Sequence, residues 1–243
     1  MFNMKSLFQV RIMERIPEPE LMVEKEQVIS YDEADFSEGE VDLINQINHY
    51  LLRTNISLGK KDLIVDLGCG PGNISEKLAI KWPNTEVVGI DGSKEMILRA
   101  EYNKDISSNQ KKLKNLRYIC SDIKDIKLKN FLLKKRISLL VSNSLIHHIT
   151  NLEDFFNTIR SLSSNRTVNF HKDLKRPLDE KSALELKAEC STKYNEILTN
   201  DYYASLRASY TLKELKDFTL ENDLSSLEVF EDGDKYLIVY GNV

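Results

Sequence analysis

Residues 64–73, Ile64-Val65-Asp66-Leu67-Gly68-Cys69-Gly70-Pro71-Gly72-Asn73, constrain this chain more than any other stretch. An apolar run reaches the carboxylate Asp66, three glycines follow at alternate positions, and residues 74–79 resume with helical spacing. The pattern predicts a strand, a tight loop and a helix. Glycine admits positive φ and leaves no Cβ between the main chain and a ligand. The free N–H groups at a helix start suit an anionic or polar ligand. The spacing is GxGxG, not the GxGxxG of a dinucleotide site.

Two further apolar runs end in the same way. Residues 87–90 lead into Asp91, and residues 116–120 lead into Ser121 and Asp122. An acidic residue at the tip of the second strand can accept both hydroxyls of a ribose. A carboxylate after the third can take the exocyclic amine of an adenine. Three acidic strand tips around one glycine loop describe a nucleoside pocket without a phosphate clamp.

These linked motifs resemble those of the class I S-adenosylmethionine (SAM) dependent methyltransferases. VDLGCGPG is similar to their first motif, GIDGSKEMI to the second and CSDI to the third. The resemblance runs from about Tyr31 to the C-terminus. It implies an α/β fold: a doubly wound, mostly parallel seven-stranded sheet with an antiparallel last strand and a helical cap insertion at about residues 178–210. It also implies SAM as cofactor. Asp66, Gly68, Gly70 and Gly72 would shape the methionine side, and Asp91 with Gly92 the ribose. Met96, Ser121, Asp122 and Ile123 would lie about the adenine, Asn143 would meet the amino acid moiety, and Tyr31 and Phe36 would close over it. Ordinary core packing is the other reading of Met96, Tyr31 and Phe36. The implied activity is methyl transfer to a small-molecule acceptor by in-line displacement. An RNA-modifying methyltransferase and a non-catalytic SAM-binding scaffold are the alternatives.

Composition narrows the partners. At 243 residues the chain suits one domain, and a net charge of −4 gives no reason to expect nucleic acid. Lysines crowd residues 104–136, but only Tyr118 and Phe131 interleave them, which reads as a solvated face. Cys69, Cys120 and Cys190 form no CxxC, so reduced thiols, a cytoplasmic location and no metal site are expected. No stretch has the length of a membrane span, and the N-terminus lacks the apolar core of a signal peptide. Oligomeric state is not fixed by the sequence.

Residues 1–30 read as an N-terminal arm or lid ahead of a domain at 31–243, with residues 1–4 disordered. Pro17 and Pro19 forbid a helix across residues 15–22, although one can start there, since proline is tolerated in a first helical turn. Packing on the domain and closing over the site both stay open for this arm. Apolar positions 41, 44, 47 and 51 predict a helix over 41–52. Residues 137–142 predict a fourth strand, with Asn143, Ser144, Leu145, Ile146, His147 and His148 at its end. Ligand crevices of open parallel sheets lie at such ends. Either histidine is therefore a candidate base. Adjacent histidines are expected to face opposite ways, one packing and one in the pocket.

The fifth strand, 167–170, exits into Asp173 and Arg176. An arginine there would suit a substrate carboxylate, gripped by two hydrogen bonds; a paired surface turn is the alternative. The helical insertion is predicted to run on through Tyr202, Tyr203, Arg207 and Tyr210, which the resemblance makes candidates for substrate selection. Thr211 with Glu214 forms a capping-box pattern and predicts a helix to about Asn222. Strands at 227–230 and 236–240, joined by so short a turn, must be antiparallel. The turn Ser142-Asn143-Ser144-Leu145 lacks the Asn/Asp-Pro-Pro-aromatic pattern of family members that methylate amino groups of DNA, RNA or glutamine.

Overall fold

Seven strands form one sheet in the order β3-β2-β1-β4-β5-β7-β6. They are β1 (Asp62–Leu67), β2 (Glu86–Asp91), β3 (Leu116–Cys120), β4 (Arg136–Asn143), β5 (Val168–Leu174), β6 (Leu227–Asp232) and β7 (Tyr236–Gly241). Strands β1 to β5 pair in parallel, and β7 inserts antiparallel between β5 and β6. The helices among the described residues are α1 (Lys25–Asp32), α2 (Ser37–Arg53), α3 (Asn73–Lys81), α4 (Lys94–Lys111), α5 (Leu152–Leu162), α6 (Glu180–Ser191), α7 (Glu196–Ala208) and α8 (Leu212–Glu221). This computed structural model describes residues 12–19, 21–111, 113–125, 132 and 136–243, with no side-chain detail for 108–111. The expectation for residues 1–4 and much of that for the lysine-rich stretch, Phe131 included, lie outside the described residues.

Because both faces of a parallel sheet are covered, its strands read as continuous apolar runs. Successive side chains of β1 point to opposite faces. Leu63, Val65 and Leu67 pack with Phe155, Phe156 and Ile159 of α5, while Ile64 packs with Leu43 and Ile47 of α2 and Leu78 of α3. Fully burying each such side chain is worth about 1.5–3 kcal/mol. Ile44, Ile47 and Leu51 of the predicted face of α2 are buried together with Leu43, whereas Val41 is exposed; Tyr50 stacks on Tyr240 of β7 with ring centroids 4.2 Å apart. The capping box of α8 is formed by Thr211 and Glu214.

The glycine loop is pressed against Tyr118 of β3, two strands away from β1. Gly72 has φ +94°, and a Cβ there would lie 2.2 Å from the Tyr118 hydroxyl. That hydroxyl instead donates to the Gly72 carbonyl at 3.3 Å.

The insertion is not one continuous helical run. It breaks between α6 and α7, where the Asn195 side chain accepts from the Leu198 N–H and starts a new helix that packs back on α6. Apolar periodicity continued across this point, and the cap overrode it.

Residues 12–19 and 21–24 are extended and lie over this cap. The Met13 N–H donates to the Leu178 carbonyl and the Ile16 N–H to that of Arg207. Arg15 donates to the carbonyls of Ala208, His147 and Ile149 and lies over the Tyr210 ring. The arm packs on the domain, and its Leu21 and Met22 also cover the cavity described next.

Candidate active site

A cavity of about 730 Å³ opens at the C-terminal ends of β1, β2, β4 and β5. Its two ends differ in chemistry. The glycine loop and the aspartate tips form one. The histidine turn, the arm and the α6–α7 cap form the other.

At the first end, Gly70 has φ +52°, and a Cβ added there would meet nothing within 4 Å. Bare main chain therefore faces the cavity. The Gly70 N–H donates to Asp91 Oδ2 at 2.9 Å, and the Ser93 N–H donates to Asp91 Oδ1 at 2.8 Å. Each carboxylate oxygen keeps a lone pair for a ligand. Burial holds Asp91 above the usual carboxylate range. Gly68, Asp66, Gly92, Met96, Asp122, Ile123, Asn143, Tyr31 and Phe36 line the same cavity. Gly72 and Ser121 do not; the Ser121 hydroxyl donates to the Asp122 carbonyl at 3.3 Å.

Asp66 is buried beside Ser75, whose hydroxyl donates to it at 2.6 Å. Burial outweighs that bond and pushes its carboxyl up to about 7, from an ordinary value near 4. The folded chain thus holds this proton over a range where the unfolded chain has lost it. Stability of the ligand-free protein falls as pH rises from about 4 to about 7, by on the order of 4 kcal/mol from this group. Urea unfolding of parent and Asp66→Asn at pH 5 and pH 8 checks it: the parent loses ground to the variant at the higher pH. Equal pH dependence in both chains would place the titration elsewhere.

At the other end, Ile146–His148 form a single 3-10 turn. Both histidines line the cavity, with ring centroids 4.3 Å apart and planes 35° apart. The expectation that they face opposite ways is corrected here. It holds for an extended chain, whereas a tight turn carries successive side chains round by only about a third of a circle. Asp173 accepts from the Ile146 N–H at 2.5 Å and the Leu174 N–H at 2.7 Å, and lies 2.5 Å from His147 Nδ1. Burial opposes charge on His147, but the Asp173 carboxylate outweighs it and holds the imidazole above its usual value. Burial, then the neighbouring His147, pushes His148 down to about 3.

Arg176 does not line the cavity, so its assignment as a substrate-carboxylate anchor is corrected. Its guanidinium is buried against Glu214 at 2.6 Å and the Ser209 carbonyl at 3.2 Å, tying the end of β5 to the start of α8. Asp173, on β5, stands behind His147 and does not line the cavity either. Of the four residues expected to select substrate, Tyr202, Tyr203, Arg207 and Tyr210, it is Tyr202 that lines the cavity. Tyr203 turns to Glu180, Tyr210 donates to the Ile149 carbonyl, and the Arg207 guanidinium lies by the Tyr203 ring.

Sequence reasoning missed Glu18 and Asp201. Glu18 reaches the turn from the arm, with Oε1 3.4 Å from His147 Nε2 and 3.3 Å from His148 Nδ1. The prolines on either side of it, which keep the chain extended, were the available signal. Asp201 lines the cavity from α7, and its buried Oδ2 has no hydrogen-bond partner.

Residues 58–210 match the family model described as a methyltransferase domain. The chain belongs to this family. The resemblance to class I SAM-dependent methyltransferases is thus borne out, and with it the seven-stranded fold. The methyltransferase is 49% identical over 37 residues to trans-aconitate 2-methyltransferase of Streptomyces avermitilis, which is 15% of this chain and 14% of that protein. With its counterpart from Paracidovorax citrulli the figures are 46% over 52 residues, 21% and 20%. The match therefore reaches about a seventh to a fifth of these relatives' length. Among solved structures, the plantazolicin methyltransferase BpumL in complex with a pentazolic analog and S-adenosylhomocysteine (SAH) superposes with a TM-score of 0.65. It is 18% identical, over 90% of this chain and 91% of that one. A SAM-dependent methyltransferase from Aquifex aeolicus gives 0.60 at 17% identity, over 90% and 98%.

Proposed function

We propose that the methyltransferase transfers a methyl group from SAM to a small polar acceptor bound under the α6–α7 cap. The single observation that carries this is the two-ended cavity, with bare Gly70 main chain and Asp91 at one end and His147, His148 and Tyr202 at the other. Gly70 admits a ligand against the backbone, so the residues present fit the cofactor. Asp91 takes the ribose hydroxyls, Asp122 and Ile123 the adenine with Met96 beside it, and Asp66 and Asn143 the amino acid end. Tyr31 and Phe36, with ring centroids 5.1 Å apart and planes tilted by 45°, close that side.

Bound SAM supplies a methyl group already activated on a sulfonium. The chain's own task is to hold the acceptor in line and to exclude water, a proximity effect that can contribute several kcal/mol. The arm residues Leu21 and Met22 and the cap residues Tyr194 and Leu198 form the walls that do so. The histidine turn presents the polar groups that orient the acceptor's reacting atom. Relatives named for trans-aconitate and plantazolicin support a small-molecule acceptor. Cysteines that are all unpaired suit a reducing compartment such as the cytoplasm, and no described helix is long and apolar enough to cross a membrane.

Thermal unfolding with SAM, SAH or NAD tests the cofactor. A ligand at 100 times its dissociation constant stabilises the folded chain by about 2.7 kcal/mol, which raises the midpoint by about 5–10 °C at this size. SAM and SAH produce that rise and NAD does not. No shift with SAM or SAH would leave the cavity without its proposed ligand.

A further inference from the structure

We propose that Glu18, His147 and His148 bind a divalent transition cation, zinc or an ion of similar chemistry, where the N-terminal arm meets the turn after β4. Their donor atoms, Glu18 Oε1, His147 Nε2 and His148 Nδ1, lie within 4.8 Å of one another. No metal-ligand spacing is visible along the chain, because two of the ligands are adjacent and the third comes from the N-terminal arm.

The distances separate a shared cation from a shared proton. Glu18 Oε1 is 3.4 Å from one imidazole nitrogen and 3.3 Å from the other. A charge-assisted hydrogen bond between such groups closes to about 2.7–2.9 Å. Tetrahedral zinc holds nitrogen and oxygen donors at about 2.0–2.2 Å, which sets neighbouring donors about 3.3–3.5 Å apart. Glu18 Oε1 is buried and accepts no hydrogen bond, the two imidazole nitrogens being its polar neighbours, while Oε2 accepts from the Ser205 hydroxyl at 3.5 Å and His148 Nδ1 also lies 3.4 Å from the Pro19 carbonyl.

The surroundings already orient the ligands. Asp173 holds His147 by Nδ1, which leaves Nε2 aimed at Glu18. A carboxylate behind a histidine is the arrangement that fixes a metal-binding imidazole. Two imidazoles and one carboxylate form a borderline donor set, suited to zinc or iron more than to magnesium or calcium.

A cation here clamps the arm. Three residues beyond Glu18, Leu21 packs so closely on Gly92 that a Cβ there would lie 2.7 Å from Leu21 Cδ2. The clamp therefore reaches the strand tip that carries Asp91. Because both histidines line the cavity, a remaining coordination position is within reach of the acceptor's heteroatom. The site stands independently of the cofactor assignment.

Full-length protein is stripped with a chelator, dialysed and titrated with zinc chloride by calorimetry, with bound metal counted by elemental analysis. One zinc per chain is expected, with a raised thermal midpoint and, for cobalt in its place, the intense visible absorption of a four-coordinate site. Loss of an outer-shell partner costs about 10–100-fold in affinity, so Glu18→Gln and His148→Gln, which remove a ligand, weaken binding at least about 100-fold. Cys120→Ser, at an exposed thiol, leaves it unchanged. The SAM-induced shift, measured on the same stripped samples, reports whether each variant is folded. Failure of the parent to take up zinc, cobalt or manganese overturns the proposal, as does unchanged affinity in Glu18→Gln. Either result leaves the SAM measurement standing.

Discussion

Asp91→Ala loses at least about 100-fold in affinity for SAM and SAH by calorimetry and still unfolds cooperatively. Asp91 ends β2, where the chain leaves the sheet, and its two oxygens already accept the N–H groups of Gly70 and Ser93. Those bonds fix the carboxylate between the glycine loop and the start of α4, with one lone pair of each oxygen free for a ribose hydroxyl. Hydrogen bonds to a charged group contribute about 1.5–3 kcal/mol each. Two of them account for about 3–6 kcal/mol, more than a hundredfold in binding. Asp91→Asn keeps one acceptor oxygen and falls between the two. The fold survives because both N–H donors border a cavity that water can enter. Affinity in Asp91→Ala equal to the parent's would refute the ribose assignment.

The readable parts of this fold are those in which a few neighbouring residues decide the outcome. The stretch from Ile64 to Asn73 specifies a strand, a turn and a helix by itself, and Thr211 with Glu214 specifies a helix start. The apolar run at 236–240, so soon after its partner, can only turn back along it. Asp66, Asp91 and Asp122 follow from those strands, because a residue at a parallel strand's C-terminal tip must face the crevice. The acceptor end is different in kind. It is assembled from an arm, a turn, β5 and a cap whose encounter no local pattern encodes. Arg176 has the chemistry of an anion clamp, yet Glu214, thirty-eight residues on, occupies it. Glu18 has the chemistry of a solvated surface acid, and Arg15 fastens its segment onto the histidine turn. The insertion misled for the same reason. Its apolar spacing is continuous, but Asn195 satisfies a fresh helix start, and the chain folds back to make a wall.

Asp173→Ala lowers the thermal midpoint by on the order of 10 °C and abolishes turnover of any acceptor, while the shift induced by SAM keeps its size. Asp173 is a positioning residue. It lies within β5 with its carboxylate buried, and accepts the Ile146 and Leu174 N–H groups while it holds His147. One carboxylate thus fastens the first residue of the 3-10 turn and the ring of the second. Removing one member of a buried charged pair costs about 3–5 kcal/mol, since the partners left behind find no water. At about 2–4 °C per kcal/mol for a chain of this length, the loss in midpoint follows. Asp173→Asn keeps one acceptor and the volume, and recovers part of the stability. A merely structural aspartate would predict loss of SAM response and turnover together as the sheet loosens. The turn geometry predicts that they separate, because the glycine loop after β1 and Asp91 of β2, which hold the ribose end of the cofactor, make no hydrogen bond to this carboxylate. A variant that melts with the parent, or one in which the SAM response falls in step with turnover, would show that the histidine turn is held in some other way.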